Sequence, residues 1–143
     1  MKFPEDYWTY TTASAGSAGT AYVNDYTGNL VFVHGDVATT GLLAPVTLEH
    51  VYNGYMAGIK YTKNYVTVGR GWKMSVQQTV RSSKEYGLSG SALNATPYAY
   101  EDGDGTVHFF YKKTENGKTK YLDEDGLGLE LKIISGLNCT ITD

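Results

Sequence analysis

The chain has 143 residues, of which 41% are hydrophobic, 19% charged and 13% aromatic, and its formal net charge is -3. That size supports one domain with its own core, and the apolar fraction excludes a disordered acidic tail. The mild acidity argues against nucleic acid as a partner, since phosphates need a basic face, and no apolar run approaches the roughly 20 residues that cross a bilayer.

Gly (17) and Tyr (13) are abundant beside Phe (4) and Trp (2). Glycine supplies tight turns, and tyrosine with threonine favours half-buried pleated surfaces, so short strands in an all-β fold are expected. The single cysteine, Cys139, rules out an internal disulfide framework. Met1 to Asp6 contains no apolar signal core, which predicts either a cytosolic protein or a piece of a larger one.

In chain order, Tyr7-Trp8-Thr9-Tyr10 reads as a strand, and Ser14 to Gly19 as a small-residue linker. Residues 1–20 are thus an N-terminal extension, partly linker-like, before a single β module over residues 21–143. Ala21-Tyr22-Val23 and Leu30 to His34 flank a turn containing Thr27-Gly28. Val46 to Tyr52 alternates behind Pro45, which suits the start of a strand. Gly69-Arg70-Gly71 turns the chain into Trp72 to Arg81, where period two places Trp72, Met74, Val76 and Val80 on one face and Lys73, Ser75, Gln77, Thr79 and Arg81 on the other. The expectation is one strand with Trp72 anchoring the core. Ser82 with Glu85 suits a capping box before one helical turn at most.

The last third reads as a meander. Thr106 to Lys113 sets Val107, Phe109 and Tyr111 on one face, Asn116-Gly117 makes a tight hairpin because both tolerate positive φ, and Lys118 to Leu122 returns. Leu129 to Ile133 alternates again, and Cys139 to Asp143 is a strand that reads as a cut edge. The architecture expected is all-β, mainly antiparallel hairpins or a meander forming a curved sheet or sandwich.

Catalytic patterns are weak. His34, His50 and His108 are far apart in sequence and lack metal spacing. Gly87-Leu88-Ser89-Gly90-Ser91 has serine where a nucleophile elbow needs glycine. After Gly69-Arg70-Gly71, Met74 replaces the third glycine of a dinucleotide fingerprint. The expectation is no catalytic residues and no enzyme activity.

Asp102, Asp104, Asp123 and Asp125 fall in turns at one end of the meander, where their oxygens would suit Ca²⁺, although Ile134 stands where an EF-hand loop would need a closing glutamate. The same carboxylates suggest a glycosidase pair. Aspartate and glycine are also ordinary turn formers, so plain turns without metal or cofactor are favoured. Lys112, Lys113, Lys118 and Lys120 surround the hairpin tip and read as guards against edge pairing rather than a polyanion site. Tyr52, Tyr55, Tyr61 and Tyr65 are candidates for stacking on cell-wall glycan, with packing the plainer explanation.

The order of motifs resembles the module before the repeat array of bacterial Rhs/YD-repeat proteins of the Gram-positive, wall-associated type. The resemblance rests on Tyr22 to Leu30, Pro45 to Asn53, Val68-Gly69-Arg70-Gly71-Trp72, Asp102 to Phe110 and Asp123 to Leu127. It departs from the family in His50, where many members carry arginine, and in lacking tyrosine-aspartate repeats and a toxin domain. The resemblance implies a non-catalytic structural module that begins or plugs a β-shell around a C-terminal toxin. It also implies an extracellular or wall location for the parent, whose remainder would be the partner. Gly28, Gly69, Gly71, Trp72, Asn116 and Gly117 would be structural, and an exposed edge strand would give weak self-association. A carbohydrate- or wall-polymer-binding module is the alternative, ahead of a glycoside-type hydrolase.

Overall fold

The computed structural model describes residues 8–40, 46–58, 68–135 and 138–143. It is all-β and mainly antiparallel, with two sheets, one of them curled into a half-barrel. The chain divides into two compact units, the first made of Met1–Gln78 with Asp102–Thr106 and the second of Thr79–Glu101 with Val107–Asp143.

The first unit holds a five-stranded sheet in chain order: β1 (Tyr10–Ser14), β2 (Thr20–Asn24), β3 (Leu30–Thr39), β4 (Val46–Asn53) and β5 (Trp72–Met74). The β2–β3 turn is built by Asn24, whose Oδ1 accepts from the amides of Tyr26 and Thr27 at 3.0 and 2.9 Å. Gly28 closes it at φ 70, a left-handed conformation that glycine adopts without steric cost. A one-turn helix, α1 (Gly54–Gly58), follows β4 and buries Met56.

Val31, Val51, Asn53 and Lys73 are buried on one face of this sheet, in agreement with a ladder that opposes Val31 to Asn53 and Val51 to Lys73. This reverses the expected parity of Trp72 to Arg81. Lys73 is 0% exposed and Val76 is 62% exposed, while Trp72 is only half-buried on the other face. The expected single strand is also two. The Gln77 side chain takes the Met74 amide at 2.9 Å and the Gln77 amide bonds the Met74 carbonyl at 2.9 Å, so the ladder ends in a turn. Trp72 therefore does not anchor a core.

Polar groups hold the segment 102–106 to the buried face. Asn53 donates from Nδ2 to the Asp104 carbonyl at 3.0 Å, and Lys73 Nζ donates to the Asp102 carbonyl. Gly105, at φ 86, lies so close to Met56 that a Cβ would collide with its sulfur.

The second unit holds a six-stranded sheet, again in chain order: β6 (Thr79–Ser82), β7 (Tyr98–Glu101), β8 (Val107–Glu115), β9 (Lys118–Asp123), β10 (Glu130–Ser135) and β11 (Asn138–Thr142). Ser82 caps a single 3-10 turn over Ser83–Tyr86, as its spacing predicts, and a short helix, α2 (Gly90–Ala95), follows. Asn116 at φ 51 and Gly117 at φ 74 form the β8–β9 hairpin tip. The core is Tyr100, Phe110, Leu129 and Leu131, covered by Val80, Tyr98, Tyr121, Leu127, Cys139 and Ile141. On β8 the inward residues are His108 and Phe110, whereas Val107 and Phe109 are half-buried and Tyr111 is exposed.

Candidate functional site: an aromatic and imidazole cleft

The unburied face of the first sheet gathers aromatic rings and imidazoles. The ladder sets Phe32 opposite Tyr52 and Tyr52 opposite Trp72, and in the next row on the same face His34 opposite His50 and His50 opposite Met74. Residues two apart on a strand share a face, so three aromatic rings and two imidazoles come together. Trp72 packs edge-on to Phe32 at 6.3 Å between centroids and tilted against Tyr52 at 5.5 Å.

Two local devices aim this cluster. Gly71, at φ 78, lets the turn before β5 pass so close to Tyr52 that a Cβ would stand 2.8 Å from its ring. Its carbonyl accepts the Asn53 amide at 2.8 Å, and the Gly69 carbonyl accepts the Trp72 amide at 3.1 Å. The second device is a register shift between Gly35 and Val37, which leaves Asp36 as an extra residue on β3. Such bulges re-aim a side chain. Asp36 Oδ2 lies 2.5 Å from His50 Nδ1, and its Oδ1 is 3.7 Å from His34 Nε2.

Those contacts fix the rings. A carboxylate and a carbonyl only accept, so His50 donates from Nδ1 to Asp36, and His34 donates from Nδ1 to the Ala18 carbonyl at 2.9 Å. In the neutral imidazoles, Nε2 is then an acceptor on both. Ala18, Phe32, His34, His50, Val68 and Trp72 line an open cleft of about 330 Å3. Sequence separation alone had left these histidines apart. Glycine inside a strand, Gly35 before Asp36, is the signal that could have suggested a bulge.

The carboxylates in the turns hold backbone. Asp102 Oδ1 accepts the amides of Asp104 and Thr106 at 3.1 and 3.0 Å, and Asp104 Oδ1 accepts the Thr106 amide at 2.9 Å. In the second unit, Asp123 takes the amides of Leu127 and Leu129 at 2.7 and 2.6 Å. Asp125 meets the buried His108 Nδ1 at 2.7 Å, and the His108 ring stacks on Tyr100 at 5.9 Å. Among the described residues, no group of three or more His, Cys, Asp or Glu is arranged to hold a metal.

The remaining sequence candidates are dispersed. Tyr52 is part of the aromatic cluster. Tyr55 is exposed, and its amide donates to Asn29 and Asn53 side chains. Tyr61 and Tyr65 lie outside the described residues. At the hairpin tip, Lys113 pairs with Glu115 at 2.8 Å and Lys120 with Glu130 at 3.1 Å. The Lys113 ammonium, by hydrogen bond and then by charge, lowers the Glu115 carboxyl below the usual range.

No helix among the described residues is long and apolar enough to cross a membrane. No protein-family model matches the chain, and no curated protein or solved structure matches it.

Proposed function

We propose that the chain is a non-catalytic structural β module of a larger secreted or wall-associated protein of the Rhs/YD-repeat type. One observation carries the reading: among the described residues, every strand of both sheets pairs only with its neighbours in the chain. Architectures that grow hairpin by hairpin have this order, because each unit buries its face against the next. The turn aspartates support the same reading, since their oxygens accept backbone amides that keep the hairpins closed. The order of motifs over most of Tyr22 to Leu131 resembles that of this family.

In such a module the outer strand is an attachment edge. β11 pairs with β10 alone among the described residues, and open edges recruit further strands. Sedimentation at increasing concentration is expected to show weak self-association that Thr140→Lys suppresses. A monomer at every concentration would count against the scaffold reading.

A further inference from the structure

We propose that the cleft on the first sheet binds a neutral sugar ring, with His34 and His50 taking its hydroxyl groups and Trp72 and Phe32 its C–H surface. This goes beyond the scaffold role, which stands or falls separately.

The hydrogen-bonding polarity of the cleft selects the ligand. The Nδ1 of each imidazole is committed, one to Ala18 and one to Asp36, so each neutral ring offers Nε2 as an acceptor. Asp36 Oδ1, 3.7 Å from His34 Nε2, is beyond hydrogen-bond length from it. The polar groups are therefore acceptors, and the matching ligand presents several O–H donors. The Asp36 charge disfavours an anion, which would meet a carboxylate beside the imidazoles.

The apolar wall selects the rest of the molecule. Phe32 and Trp72 line the same cleft as the histidines, and an aromatic surface suits the C–H side of a pyranose. A quaternary ammonium would also favour aromatic rings, but it has no donor for two imidazole nitrogens, which would lose water without replacement. A volume of about 330 Å3 lies at the small end of ligand sites, ~300–1,000 Å3, and so suits a ring held from a longer glycan. The bulge places Asp36 to hold the His50 ring and the glycine turn presents Trp72, which keeps the ordering cost on binding low.

The test is a two-dimensional NMR titration of the isotope-labelled full chain with cellotetraose and with chitotetraose. Saturable shifts with one of them, of millimolar order, are expected at Ala18, His34, Asp36, His50 and Trp72. Loss of a charge-neutral hydrogen bond predicts affinity about tenfold weaker in His50→Leu. His50→Gln, whose amide oxygen still accepts, is expected to retain most of it. Absence of saturable shifts with both sugars overturns the proposal, as do shifts confined to other surfaces. Equal affinity of His50→Leu with an intact spectrum also overturns it, and so does stronger occupancy of the cleft by tetramethylammonium or inorganic phosphate.

Discussion

Lys73 donates its ammonium to the main-chain carbonyl of Asp102 inside the first unit, where the two residues are 0% and 1% exposed. A lysine is seldom buried this completely unless it is paired and hydrogen-bonded. Here it fastens the segment 102–106 to the sheet, beside the Asn53 bond to the Asp104 carbonyl.

Truncating the lysine leaves the buried Asp102 carbonyl without its donor and opens a cavity, so Lys73→Ala is expected to cost about 2–5 kcal/mol. Lys73→Met keeps most of the side-chain volume and separates the lost hydrogen bond from the cavity, and it is expected to cost about 1–3 kcal/mol. Urea melts of both variants check this, and a loss within experimental error for both would remove the buried-lysine assignment.

Trp72→Ala gives the opposite expectation from a core tryptophan. With the indole half-buried, its loss removes ring contacts with Phe32 and Tyr52 and is expected to cost about 1–3 kcal/mol, below the 3–5 typical of fully buried aromatic truncations. A melt showing a loss above that range would place the indole in a core.

Two glycines with positive φ separate strain from collision. Gly28→Ala meets nothing within 4 Å and is expected to cost about 1–2 kcal/mol from the left-handed backbone alone. Gly105→Ala adds a clash with Met56 and should be clearly more destabilising. Pairing it with Met56→Ala should restore part of the loss in a double-mutant cycle.

The Tyr98 phenol is raised above its ordinary value, first by burial and then by the adjacent Tyr121, whose ring lies edge-on at 5.0 Å. A phenol that ionises later in the folded chain contributes stability fully present below the unfolded value, about 10. That contribution is lost as pH rises through the folded value. Tyr98 should be the late-titrating tyrosine in an alkaline NMR titration, and Tyr121→Phe should bring it back toward the ordinary range. An ordinary midpoint in the parent chain would contradict this.

The strands were largely legible because their signals are local. Val46 to Tyr52 alternates behind a proline and Asn116-Gly117 forces a hairpin, and both are where the sequence places them. The inward face was harder to read. On β5 and β8 the buried parity belongs to Lys73 and His108, which composition assigns to solvent, because their polar ends are satisfied by Asp102 and Asp125 from distant positions. The cleft was invisible for a similar reason. His34 and His50 meet only through the β3–β4 register, and Asp36 joins them through a bulge that no single-strand pattern encodes.

The first sheet turns Val31, Val51 and Lys73 inward and presents its rings and imidazoles on the other side. Neighbouring positions on β4 test this arrangement directly. In a Cys139→Ser background, His50→Cys and Val51→Cys should differ in thiol labelling by at least about tenfold, the first reacting quickly and the second only through opening of the unit. Equal labelling, or faster labelling at Val51→Cys in a folded chain, would show that this face assignment is wrong.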